Sequence, residues 1–97
     1  MITIKATLHM YDDIRKTPFS NGYRPAFDFG TESLTSGRIM LLDNKKQLFY
    51  PGEIGEVEIS FMFEEFVKDK LKIGEKIYFY EGSNCLGEIK ILEISNN

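Results

Sequence analysis

The sequence predicts an all-β fold of six short strands, arranged as a barrel or a sandwich. Three observations lead there. Apolar residues recur at every second position along most of the chain, Gly, Pro and Asn clusters separate the runs, and only one short segment carries helical spacing. At 97 residues, with 42% apolar and 28% charged, the chain has the size and composition of one globular domain. Eight Phe and five Tyr spread along it exclude a disordered chain, which would be poor in aromatics.

Taken in order, Ile2, Ile4, Ala6, Leu8 and Met10 share one strand face, with Thr3, Lys5, Thr7 and His9 on the other. Tyr23, Pro25, Phe27 and Phe29 alternate with Arg24, Ala26 and Asp28. Arg38 to Asp43 is apolar on both faces, which predicts a central or covered strand. Val57, Ile59, Phe61 and Phe63 alternate with Glu56, Glu58, Ser60 and Met62, and Ile77 and Phe79 with Lys76, Tyr78 and Tyr80. The last strand, Leu86 to Ile94, changes phase: Ile89 and Ile91 share one face, Leu92 and Ile94 the other. A one-residue bulge near Ile91 would return both sets to the core.

Turn chemistry supports these boundaries. Tyr50-Pro51-Gly52 suits a type II turn, Glu81-Gly82-Ser83-Asn84 a hairpin, and Ser20-Asn21-Gly22 a tight bend. Phe63, Phe66, Val67 and Leu71 predict a helical turn over Glu64 to Leu71, stopped by Gly74.

Charge and composition narrow the function. A net charge of −3 argues against an unspecific nucleic-acid binder, whose affinity comes from Lys and Arg neutralising phosphates. Cys85 is the only cysteine and His9 the only histidine, so neither an intrachain disulfide nor a multi-Cys or multi-His metal site can form. A lone thiol suits a reducing, cytoplasmic setting. No apolar run approaches the ~20 residues of a membrane helix, and Met1 to Lys5 enters directly into strand alternation rather than a secretory leader.

Chemistry-bearing residues are present but not assembled. The chain has no phosphate-loop motif, and Asn44-Lys45-Lys46-Gln47 lacks the Asp of a guanine-reading motif, so it reads as a solvated turn. Glu56/Glu58 and Glu64/Glu65 lack any predictable pocket that would separate their pKa values. Asp12/Asp13 are not followed by cation-loop spacing, and these acids read as solubilising charge. His9 falls on the polar strand face, and nothing near Cys85 except Lys90 would activate a thiol. No enzyme, metal or cofactor is expected. Tyr78 and Tyr80 share the polar face of their strand, where aromatics signal either an interface or a covering loop.

One stretch goes beyond pattern. Thr17-Pro18-Phe19 followed by Gly22-Tyr23-Arg24-Pro25-Ala26-Phe27-Asp28-Phe29 resembles the T-P-F-x-x-G-Y-R-P-Q-F-x-F signature in the third domain of elongation factor Tu. Gly37-Arg38-Ile39-Met40-Leu41 is similar to the family's next G-x-I-x-L strand. Tyr50-Pro51-Gly52-Glu53 is similar to its M-P-G-D turn, and Glu81-Gly82 with Gly87 to its R-E-G-G-R-T-V-G-A-G hairpin. These stations keep their order from about Lys5 to Ile94.

The resemblance implies a closed six-stranded antiparallel barrel of Greek-key type, in the class of translation-factor C-terminal domains. In the family this domain packs on two others, touches the T-stem of aminoacyl-tRNA and offers surface to the nucleotide-exchange factor. The 97 residues hold no counterpart of the GTPase or second domain, so GTP hydrolysis is not implied. Tyr80 and Asn84 stand where the family has arginines, Ala26 replaces its Gln, Ile89 its last hairpin Gly, and the loop from Glu64 to Gly74 is longer. Losing two charge-assisted hydrogen bonds of about 1.5–3 kcal/mol each would weaken RNA binding by roughly 10² to 10⁴.

The expectation is therefore a cytoplasmic, non-catalytic binding module that meets a protein through Tyr78, Tyr80, Glu81, Gly82 and Asn84. Translation factors, a toxin that recognises elongation factor Tu, and a second copy of the chain are candidate partners. The alternative is a weak tRNA or RNA binder, for which Lys5, Arg15, Lys16, Arg24 and Arg38 would have to cluster.

Overall fold

In a computed structural model of the chain, the strand β1 (Ile2–Met10) runs through the middle of the main sheet. The structure describes all residues except Asn44, Phe63, Glu64, Phe66 and Asn97. After β1 come β2 (Phe19–Ser20), β3 (Ala26–Asp28), β4 (Thr35–Ser36), β5 (Arg38–Leu41), β6 (Leu48–Phe49), β7 (Ile54–Phe61), β8 (Lys76–Glu81) and β9 (Asn84–Asn96). Seven of them form one antiparallel sheet in the order β4-β3-β8-β9-β1-β7-β5, and β2 pairs with β6 beside it. The large sheet curls into an open half-barrel.

Alternation decides what the sheet encloses. Ile2, Ile4, Ala6, Leu8 and Met10 of β1 are all buried, as are Val57, Ile59 and Phe61 of β7 and Ile77 and Phe79 of β8. Phe27, Ile39, Ile89 and Ile91 complete this layer, with Phe27 edge-on to Phe61 at a centroid distance of 5.4 Å. Phe19 of β2 and Phe49 of β6 stack at 5.3 Å, so the small ladder extends the same core. Burying each such side chain favours the fold by about 1.5–3 kcal/mol.

The expected bulge is present. Lys5 lies opposite Glu93 but Ala6 opposite Ile91, which leaves Leu92 as the extra residue and sets Ile94 opposite Ile4. The second apolar set reaches the core only in part: Leu92 is half-buried and Ile94 is 38% exposed, because the sheet bends away there. A second shift, between Phe79 and Tyr80, makes Leu86 another extra residue, and it is buried.

Two expectations need correction. β3 covers only Ala26–Asp28, since Pro25 has no N–H to give to a ladder, and Tyr23 makes a single bridge to Ile39. Of the two readings of Arg38 to Asp43, central or covered strand, the first fails: the segment ends the sheet as β5 (Arg38–Leu41), with Ile39 buried and Met40 and Leu41 half-buried. Its cover comes from the chain before β3: Gly22 N–H donates to the Ile39 carbonyl at 2.9 Å, Ile39 N–H to Tyr23 at 2.8 Å, and Gly37 N–H to Pro25 at 3.2 Å. Of the helical turn expected over Glu64 to Leu71, Glu64 and Phe66 lie outside the described residues; Glu65 between them has 3-10 geometry, residues 67–70 form turns, and Val67 and Leu71 are buried.

Two turn expectations hold in detail. Gly52 has φ +89° and Glu53 N–H donates to the Tyr50 carbonyl at 3.0 Å, the geometry of a type II turn. Glu81 pairs with Asn84 across Gly82-Ser83, with φ +62° at Gly82. In the first turn the Glu53 carboxylate also accepts the Tyr50 N–H at 2.9 Å and pairs with Lys46. Burial raises the Glu53 pKa, but the Lys46 and Tyr50 hydrogen bonds outweigh it and hold the group below its ordinary 4.5.

Gly87 is fixed by space rather than by φ. A Cβ there would lie 2.2 Å from the His9 carbonyl oxygen and 2.8 Å from the Phe79 ring, so β9 can approach β1 only without a side chain. Gly87→Ala is expected to cost about 3 kcal/mol or more, lowering Tm by roughly 12 °C or more in a thermal melt. Because the Glu53 pKa is depressed by folding, its contribution is complete above 4.5 and lost as pH falls through the lower folded value. Glu53→Gln should therefore lose about 1 kcal/mol in urea unfolding near pH 7, and progressively less as pH falls below 4.5.

Candidate functional site

The inward positions of β8 belong to Ile77 and Phe79, which turns Tyr78 and Tyr80 outward. Tyr78 lies opposite Asp28 of β3 and Glu88 of β9, and Glu88 lies opposite His9 of β1, so one outward row crosses four strands. Tyr78 is 42% exposed. Tyr80, half-buried, lies opposite Ala26 and Cys85. Tyr11, just beyond β1, donates its hydroxyl to Glu88 Oε1 at 2.6 Å and sets its ring edge-on to His9 at 5.2 Å. Lys76 Nζ meets the other Glu88 oxygen at 3.2 Å. The Tyr11 hydrogen bond, helped by Lys76, holds Glu88 below the usual carboxylate range against the effect of burial. Burial and the Glu88 carboxylate push the Tyr11 hydroxyl up, while charge on Cys85 and then burial push up that of Tyr80.

Beside this row, Arg15 from the loop after β1 ties three chain segments together. Its Nη1 donates to Glu81 Oε2 at 2.8 Å, its Nη2 to the Pro18 carbonyl at 2.9 Å, and its Nε to the Thr17 carbonyl at 3.0 Å. The guanidinium lies 4.8 Å from the centre of the Tyr23 ring, and the Tyr23 hydroxyl donates to the same Glu81 oxygen at 2.7 Å. Burial and then the Glu81 hydrogen bond push the Tyr23 hydroxyl up, with Arg15 opposing. Glu81 and Arg15, candidates for two different surfaces, are thus bound to each other. Gly82 and Asn84 are exposed at the hairpin tip.

The remaining candidate cations separate. Lys5 pairs with Glu56 at 3.4 Å and Glu93 at 3.8 Å on the outer face of β1. Lys16 Nζ donates to the Asp12 carbonyl. Arg24 and Arg38 do come together, lining a hollow of about 730 Å³ with Met1, Leu34, Ser60 and Met62. Sequence reading missed several members of these sites. Tyr11, just beyond β1, meets Glu88 of β9 only through the long-range pairing of β1 with β9. Leu34 is a lone apolar residue in a Ser/Thr-rich loop, a weak signal that was available.

Other candidates stay dispersed. Glu56 is occupied by Lys5, Glu64 and Asn44 lie outside the described residues, and Cys85 Sγ faces the Gly87 carbonyl at 3.7 Å. Among the described residues no group of three or more His, Cys, Asp or Glu is placed to hold a metal ion, and no helix is long and apolar enough to cross a membrane. No protein-family model matches the chain, and a search of curated proteins returns no match.

The Arg15–Glu81 contact can be measured by a double-mutant cycle with Arg15→Ala and Glu81→Ala in urea unfolding. Glu81 is about half exposed, so solvent screening limits the expected coupling to about 0.5–1 kcal/mol. Additive losses would mean that the pair contributes nothing as a pair.

Proposed function

We propose that the chain is a non-catalytic binding module of the cytoplasm, built as a closed six-stranded Greek-key-type barrel like the third domain of elongation factor Tu, and that it engages a protein. Six longer segments, β1, the stretch through β3, β5, β7, β8 and β9, correspond to the six strands expected from sequence, and the hydrogen bonds from 22–25 to 37–39 support closure between β5 and the stretch before β3. The Thr17-Pro18 and Gly22-Tyr23 stations of the resemblance are the ones that Arg15 and Glu81 hold together, which gives the shared motif a structural reason.

The observation that carries the protein-binding reading is the outward row on β3, β8, β9 and β1. Tyr78 and Tyr80 stand on a rigid sheet beside Tyr11, with the carboxylates of Asp28, Glu88 and Glu81 around them. Aromatics held on a fixed scaffold are the residues that dominate protein interfaces. Lys5 and Arg15 are already paired with carboxylates, which favours this reading over tRNA binding, where several cations must be free to meet phosphates. Translation factors, a toxin directed at elongation factor Tu, and a second copy of the chain fit such a surface.

Quantitative affinity capture on immobilised wild-type protein and on the Tyr78→Ala/Tyr80→Ala variant tests the reading, with sedimentation to score self-association. Partner retention should fall at least about tenfold on the variant. Equal retention by both would sink the assignment, as would micromolar binding of labelled aminoacyl-tRNA that falls steeply with salt.

A further inference from the structure

The chain has three arginines, and the fold disposes of them unequally. Arg15 is committed to Glu81, Thr17 and Pro18. Arg24 and Arg38 have no carboxylate in ion-pair reach among the described residues, and both line the hollow of about 730 Å³ between the 31–34 loop, β4, β5 and the end of β7. Arg38 faces outward because its neighbour Ile39 is buried, and Ile39 is also the residue that the Tyr23 bridge fixes. Arg24 follows that bridge directly, so one backbone contact brings the two guanidinium groups to the same rim.

Besides the arginines, the lining combines the apolar side chains of Met1, Leu34 and Met62 with serine and threonine hydroxyls. Leu34 is 42% and Met62 is 64% exposed, a poor arrangement for a surface that meets only water. The volume falls within the ~300–1,000 Å³ typical of ligand clefts. Two unpaired guanidinium forks recognise carboxylates in a planar, two-point manner. Leucine and methionine beside them supply an adaptable apolar wall. Among the described residues the lining contains no aromatic ring on which a base could stack, so they offer a nucleic-acid strand only half of its usual recognition.

We infer that this hollow is a second binding site, distinct from the Tyr78 face, for an acidic protein segment: an extended stretch carrying Asp or Glu next to a large apolar residue. The carboxylates meet Arg24 and Arg38, and the apolar side chain enters between Leu34 and Met62.

Selection of a random heptapeptide display library on the immobilised full chain tests this, with counter-selection on the Arg24→Gln/Arg38→Gln variant. Enriched peptides should carry an acidic residue within two positions of Leu, Ile, Met or Phe. Their affinity, measured with the most enriched peptide carrying a fluorophore, should fall at least about tenfold in the double variant. Leu34→Glu, on an exposed loop where the fold is not at risk, should give a similar loss, whereas Tyr78→Ala should leave binding unchanged. Melting temperatures close to wild type confirm that the variants are folded. The inference is overturned if no acidic-apolar peptide is enriched, or if the enriched peptide binds folded variants and wild type alike. Arginine-dependent binding of a labelled single-stranded oligonucleotide in place of the peptides would overturn it too.

Discussion

The rest of the structure depends on β1 being paired on both sides. Its backbone is laddered from Ile2 to His9 against β7 and from Ile2 to Met10 against β9, so nearly all of its polar groups are satisfied by neighbours. With five buried side chains on one face, a slip of one residue would turn that whole set towards water and leave Thr3, Lys5, Thr7 and His9 inside. The register of β7 and β9 is therefore set by β1, and those of β5 and β8 follow in turn. The Gly87 contact with the His9 carbonyl locks the same register from the other end.

Against this fixed centre, the outer strands carry the chemistry. The Arg15 fork gathers the loop after β1, the stretch around Pro18, the Tyr23 ring and the end of β8 onto one carboxylate. Glu81 holds the base of its hairpin, so the tip formed by Gly82 and Ser83 projects from an anchored point. The outward tyrosines gain from the same order: Tyr11, Glu88 and Lys76 form a short chain of polar contacts that fixes the surface beside Tyr78. In the proposed binding role, such prior ordering would lower the entropic cost of association.

Period-two alternation was enough to read the inner faces of β1, β7 and β8, because a half-buried strand writes its environment directly into the chain. The bulge was legible too, since Ile89, Ile91, Leu92 and Ile94 cannot all share a face without one. What alternation cannot encode is which strands become neighbours. Placing β5 at the end of the sheet depended on Pro25 and on the bridge from Tyr23, a contact invisible in local pattern. The same limit applied to the sites. Tyr78 and Tyr80 were readable as outward residues, but the Arg15–Glu81 pair spans 66 positions and the shared hollow of Arg24 and Arg38 rests on a long-range bridge.

The sheet's two ends have a consequence for recognition. One is closed off by β4, a strand of only two residues, and the other, β5, is occupied by hydrogen bonds from the stretch around Tyr23. Among the described residues, no long row of free peptide groups is left for an incoming strand to extend. Under the proposed protein-binding role, a partner would be distinguished by side chains, without the sequence-tolerant attraction that main-chain pairing supplies. Such recognition is selective and vulnerable to single substitutions on the surface. It also leaves the molecule poorly suited to edge-to-edge aggregation.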